Sequence, residues 1–165
     1  MKQLDSLEIK LCQLQGKLFE ASVNKTPYSS PVFIRRFMLS TVANSFDNKS
    51  FLFQTISFED CFDMIDMEFG KTSYGKTKYT ADQMFWIGYI YRCISIKYNL
   101  RSKVVYHLFN AEDIVKFYNI GHTFDPVDMA ERMMESINYD TRSNYEKSLS
   151  IMRKLIQEEK ESSTI

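Results

Sequence analysis

Two histidines, His107 and His122, and three cysteines, Cys12, Cys61 and Cys93, are the side chains best suited to proton transfer, nucleophilic attack or metal ligation. The histidines stand outside any HxxxH or ExxH pattern, so no zinc site is expected, and no metal or other cofactor is called for. Asp63 and Asp66 are spaced to face one cation, but no oxygen-rich loop of the calcium-binding kind accompanies them. A solvated helix face accounts for that pair. The cysteines fall near apolar helix faces, where a free thiol packs as a small hydrophobe. No CxxC, GxSxG or GxxxxGK[ST] occurs, which excludes zinc ribbons, thioredoxin-like redox sites, serine hydrolases and P-loop NTPases. Arg101 and His107, with five residues between them, remain to be weighed against a plain reading as a capping Arg and a helix-surface His.

Helices must position these groups. Gly and Pro number five and three in 165 residues, under half the usual share of roughly 12%. So few breakers disfavour a turn-rich all-β fold. The first helix is expected over 3–22, with Leu4, Leu7, Leu11, Leu14 and Leu18 at heptad spacing. Under three heptads favours packing within the chain over a free-standing coiled coil. Ser30-Pro31 is read as N-cap and first turn of a second helix carrying Phe33, Ile34, Phe37, Met38 and Val42. Residues 51–56 read as a short strand or an extended connector. Ser57 with Asp60 is a capping box that opens a helix with an apolar side (Phe58, Cys61, Phe62, Ile65, Phe69) and an acidic one. Gly70 is its expected C-cap. A basic loop, 71–79, leads to a second box, Thr80 with Gln83, and to the most apolar helix, 81–99. Apolar most of the way round, that helix is expected at the centre of a bundle, with Gly88 marking a close approach. Ser102 and Asn110 are expected to cap short helices near 103–109 and 111–118. Asp125-Pro126 should start another, and the last spans about 144–161.

The expected architecture is therefore all-α: one domain over 1–165, a compact bundle of six to eight helices. It comprises N-terminal helices in 1–70, a middle region in 71–140 and the C-terminal helix. Apolar residues make up 44% and charged residues 25%, an ordinary globular composition. Twenty-one basic residues balance twenty-one acidic ones, so nothing in the total charge draws the chain to nucleic acid or an anionic membrane. No apolar run reaches a membrane span or a secretory signal, and three unpaired thiols suit the cytoplasm.

Charge is nonetheless divided along the chain. Residues 57–70 hold five acidic and no basic groups, while 71–107 hold seven basic groups and one acid, Asp82. Tyrosines interleave the basic stretch. Such a surface could stack bases and bind phosphates, could contact a protein, or could simply pack against the acidic helix. The helix–turn–helix spacing at 103–118 invites a DNA-binding reading, but its second helix offers only Lys116 as a contact. Trp86, Tyr89 and Arg92 form a rough stripe rich in residues that anchor protein partners. Alternatively, Trp86 is a core anchor and Arg92 pairs with an acidic helix such as that of Asp63 and Asp66. With Tyr79, Lys97, Lys103 and Tyr106, the stripe makes up the expected partner surface.

Two resemblances bear on function. The Arg101…His107 spacing resembles the catalytic motif of the HEPN ribonucleases, which are small, helical and cytoplasmic. The resemblance implies Arg101 and His107 acting on an RNA phosphodiester, with no metal. A longer stretch, about 74–135, resembles small bacterial proteins of toxin–antitoxin-like loci, commonly described as antitoxins. It rests on Trp86-Ile87-Gly88-Tyr89-Ile90-Tyr91-Arg92, Ser102-Lys103 with Tyr106, His122-Thr123-Phe124-Asp125-Pro126 and Ala130-Glu131-Arg132. Cys93 and Gly121 stand where that pattern has aromatics. The resemblance implies a cytoplasmic binding protein that neutralises a cognate toxin without chemistry of its own. The second motif also reads as pure architecture: Asp125 caps, Pro126 starts a helix and His122 hydrogen-bonds within the turn.

Overall fold

The computed structural model describes residues 3–142 and 144–162. Among them the chain is all-α, with nine α-helices, one 3₁₀ turn and no strand. In order these are α1 (Ser6–Lys25), α2 (Ser30–Met38), α3 (Thr41–Asp47), the 3₁₀ turn (Ser50–Phe53), α4 (Phe58–Phe69) and α5 (Ala81–Tyr98). They are followed by α6 (Ser102–Leu108), α7 (Ala111–Gly121), α8 (Pro126–Ser136) and α9 (Asn144–Ser162). Contacts divide the chain into two compact units, Met1–Met133 and Met134–Ile165. No helix among the described residues is long and apolar enough to cross a membrane.

The helix starts follow from local capping. Asp5 with Glu8, Ser57 with Asp60 and Thr80 with Gln83 form reciprocal capping boxes at α1, α4 and α5. Each cap satisfies N–H groups that a helix cannot satisfy itself, worth about 1 kcal/mol. Three expectations are corrected. The strand considered at 51–56 is a 3₁₀ turn followed by irregular chain, because Phe51 turns inward to stack on Phe46 at 4.2 Å. The second helix divides in two: Ser40 accepts from the Ala43 N–H and starts α3 afresh. The cap of α2 is Ser29, whose hydroxyl accepts from the Val32 N–H, leaving Ser30 as the first helical residue.

The principal seam of the first unit joins α1 to α5. It is unusually close. A Cβ on Gly88 would lie 2.7 Å from the Gln15 carbonyl oxygen and 2.8 Å from the Phe19 ring. Around it the aromatic core is built from Phe19, edge-on to Phe33 and Phe37 at 5.1 and 4.9 Å, with Phe37 against Phe46. The face that α1 buries matches the leucine heptad only in part. It takes in Leu11 and Leu18 of that heptad but also Glu8, Cys12, Gln15, Gly16, Phe19 and Ser22, while Leu7 is 54% exposed. Small and polar side chains lie where the backbones are too close for leucine.

The basic loop 71–79 is strapped over the start of α2. The carbonyl oxygens of Tyr74 and Thr77 accept from the Ser29 and Ser30 N–H groups, and the Ser30 hydroxyl accepts from Tyr79 N–H. Backbone donors at a helix start are thus satisfied by a segment about fifty residues away.

Candidate functional site

Arg92 is the largest fully buried side chain, 1% exposed. Its Nε donates to Gln15 Oε1 at 2.8 Å, Nη1 to Asp47 Oδ1 at 2.7 Å and to Ser95 Oγ at 3.1 Å, and Nη2 to Ser102 Oγ at 2.8 Å. Asp47 also accepts from the Ser102 N–H and hydroxyl, so it caps α6 from outside. Ser102, expected as that cap, is the first helical residue, and Arg101 occupies the N-cap without a side-chain bond. Gln15 completes the set by donating Nε2 to the Gly88 carbonyl. Burial pushes the Arg92 pKa down and Asp47 pushes it back up. A guanidinium presents its donors in a fixed planar fork, and four acceptors from α1, α3, α5 and α6 meet that fork. Arg92, expected on a partner surface, is thus enclosed as a clamp, and it pairs with Asp47 rather than with Asp63 or Asp66.

Trp86, Cys93 and Lys97 of α5 face the segment 118–131. Trp86, 8% exposed, lies edge-on to Tyr118 at 5.8 Å, and Tyr118 stacks on His122 at 4.6 Å. His122 Nδ1 lies 2.7 Å from the Tyr118 carbonyl oxygen, to which it donates. The Cys93 thiol points at the Pro126 carbonyl at 3.6 Å. Lys97, 8% exposed, bonds Glu131 at 2.5 Å. The two motif runs, thirty-odd residues apart in sequence, are therefore two sides of one seam. Within it Asp125 caps α8 by accepting from the Val127 and Asp128 N–H groups, and Pro126 is the first helical residue.

One end of this seam opens into a groove of about 530 Å³ lined by Gln3, Leu4, Ile9, Tyr89, Asp125, Pro126, Val127 and Asp128. That size falls within the roughly 300–1,000 Å³ usual for binding sites. Leu4, Ile9 and Val127 make its apolar surface, Asp125 and Asp128 supply two carboxylates, and no basic side chain among the described residues lines it. Burial, then nearby Cys12, Cys93 and Asp125, push the Tyr89 hydroxyl's pKa up to about 12, so it stays a neutral donor. The structure brings Tyr89, Asp125 and Pro126 together here. Leu4 and Ile9 join them from α1 and its N-terminal flank, which sequence reasoning had assigned to helix packing.

The remaining expected contacts lie elsewhere. Tyr106 is held near Arg35 and Glu112, and Tyr79 near Glu112; both are partly buried, with pKa values raised by that burial. Lys103 is exposed on α6. Arg101 and His107 are both exposed, and no hydrogen bond joins them among the described residues. An offset of six positions separates them by about 9 Å along the axis and turns them to different faces. Burial raises the thiol pKa values of all three cysteines, that of Cys93 to about 12 and that of Cys61 to about 11. None is poised as a thiolate nucleophile at neutral pH. Among the described residues no group of three His, Cys, Asp or Glu side chains is placed to hold a metal ion. No protein-family model, curated protein or solved structure matches the chain.

Proposed function

We infer that the protein is a binding protein of the antitoxin type, which holds a cognate toxin inactive by direct contact and performs no chemistry itself. The observation that carries this reading is the groove at the end of the motif seam. Tyr89 from one motif run and Asp125-Pro126 from the other line it together with half-buried Leu4 and exposed Ile9 of the N-terminal segment. A concave, partly apolar surface with an aromatic anchor and a few polar groups is what a protein partner needs for a buried hot spot. The motif residues away from the groove hold the helices that shape it. The test is co-expression with the product of the adjacent gene, followed by affinity capture. The expected result is a stable complex and relief of the growth arrest that the neighbour causes alone, both weakened by Tyr89→Ala. The reading is overturned if nothing binds and the purified protein itself stops growth or cleaves RNA. Arg101 and His107 would then be the residues to replace.

A further inference from the structure

The groove beside Tyr89 also carries a statement about what it takes. We propose that it receives an apolar segment of the partner protein bearing a lysine or arginine, whose cation sits between Asp125 and Asp128 while its apolar neighbours cover Leu4, Ile9 and Val127. This rests on the binding-protein reading above and names the chemistry of the partner's contact.

Charge decides between the classes of occupant. Among the described residues, two carboxylates and no cation line the groove. The positive end of α8 offsets about half a charge of that, and the carboxylates still dominate. An acidic segment or a nucleic-acid phosphate would be repelled. A purely apolar segment would leave both carboxylates desolvated without a counter-charge, which is costly. A cation flanked by apolar residues meets both demands, because its alkyl stem lies on the apolar wall and its head reaches the acids.

Shape and hydrogen bonding agree with this. Ile9 is 37% exposed, so its side chain is open to apolar residues of an incoming segment. The Tyr89 hydroxyl makes no hydrogen bond among the described residues, so it is available to a backbone carbonyl of the incoming segment. Asp125 is committed to capping α8, but a carboxylate has more lone pairs than two backbone N–H groups occupy. Asp128 sits in the first turn of α8, exposed, and is the freer of the two.

The experiment uses the full chain and two synthetic helical probe peptides of one length. One is built from leucine and lysine, the other from leucine and glutamate. Binding is followed by isothermal titration and by amide shifts in a two-dimensional NMR spectrum. The lysine peptide should bind, shifting the amides of residues 4, 9, 89, 127 and 128, with an affinity that falls as salt rises. Asp128→Lys and Leu4→Asp should each weaken it by about tenfold or more. Both positions are solvent-accessible, and an unchanged thermal melt shows that the variants fold. Failure of the lysine peptide to bind, equal binding of the glutamate peptide, or shifts confined to another face each overturns the proposal. Growth rescue separates this from the broader reading. If the neighbour is neutralised equally well by Asp128→Lys and Leu4→Asp, the groove is not the contact and the antitoxin reading survives. If the lysine peptide binds as described but no neighbour is neutralised, the groove stands and the antitoxin reading falls.

Discussion

α1 and α9 are nearly equal in length, twenty and nineteen residues, and both carry leucines or isoleucines at helical spacing. They use them in opposite ways. α1 buries Leu11 and Leu18 completely, together with Glu8, Gln15 and Ser22, and leaves Leu7 and Ile9 exposed. α9 leaves Tyr145, Ile151, Met152, Leu155 and Ile156 each at least 50% exposed. The contrast teaches that an apolar stripe does not by itself mark the packed face. In α1 the packed face is chosen by how near α5 can come, and that requires Gly16, Gly88 and short or hydrogen-bonding side chains.

The contrast can be broken most forcefully at Arg92. Arg92→Ala leaves Asp47 facing a cavity without its cation and strips Gln15 of an acceptor role, so a loss of about 3–5 kcal/mol is expected in urea denaturation. A loss no larger than that of a surface change would mean that the polar face of α1 is not what holds the seam. Gly88→Ala comes next. Its methyl would meet backbone at Gln15 and the Phe19 ring, and overpacking of this kind costs about 1–3 kcal/mol. Alanine's better helix propensity returns roughly 1 kcal/mol. A net gain in melting temperature would show that the helices can separate without penalty.

The buried thiols and Tyr89 give a smaller, pH-dependent effect. Folding raises the pKa of Cys93 from 9.0 to about 12 and that of Cys61 from 9.0 to about 11. Tyr89 moves from 10.0 to about 12. The neutral forms are thus favoured in the fold. Their contribution is fully present below pH 9 and is lost as pH rises from there toward 12. Thermal melts should be flat across neutral pH and fall through that window, and Cys61→Ala with Cys93→Ala should shallow the fall. The smallest effect belongs to α9: Met152→Ala, at a 58% exposed site, should change stability by under about 0.5 kcal/mol. A larger loss in dilute solution would make α9 as well packed as α1 and erase the difference.

Sequence patterns reveal the helices because capping is local. Ser57 with Asp60, Thr80 with Gln83, Asn110 and Asp125-Pro126 each lie within four residues of what they cap. The break between α2 and α3 is hidden because Leu39-Ser40 contains neither Gly nor Pro, and a serine followed by Thr-Val-Ala is a weak stop. The site is legible only in halves. Tyr89 and Asp125-Pro126 stand out as motif residues, but nothing near them in sequence points to Leu4 and Ile9. Arg92 is misplaced for the same reason. Its partners Gln15 and Asp47 lie 77 and 45 residues away, and a local reading sees only a cation beside aromatics.

Those sequence separations bear on the order in which the molecule forms. Helices with good caps can fluctuate into shape early, since their bonds close over three or four residues. The Arg92 fork cannot close until α1, α3, α5 and α6 have all been brought within reach of it, and most of the loop entropy has by then been spent. The clamp therefore belongs to the native side of the folding barrier. Conservative replacements at Arg92 should speed unfolding and leave the folding arm of the chevron nearly unmoved, a φ-value near zero at the most enclosed charge in the protein.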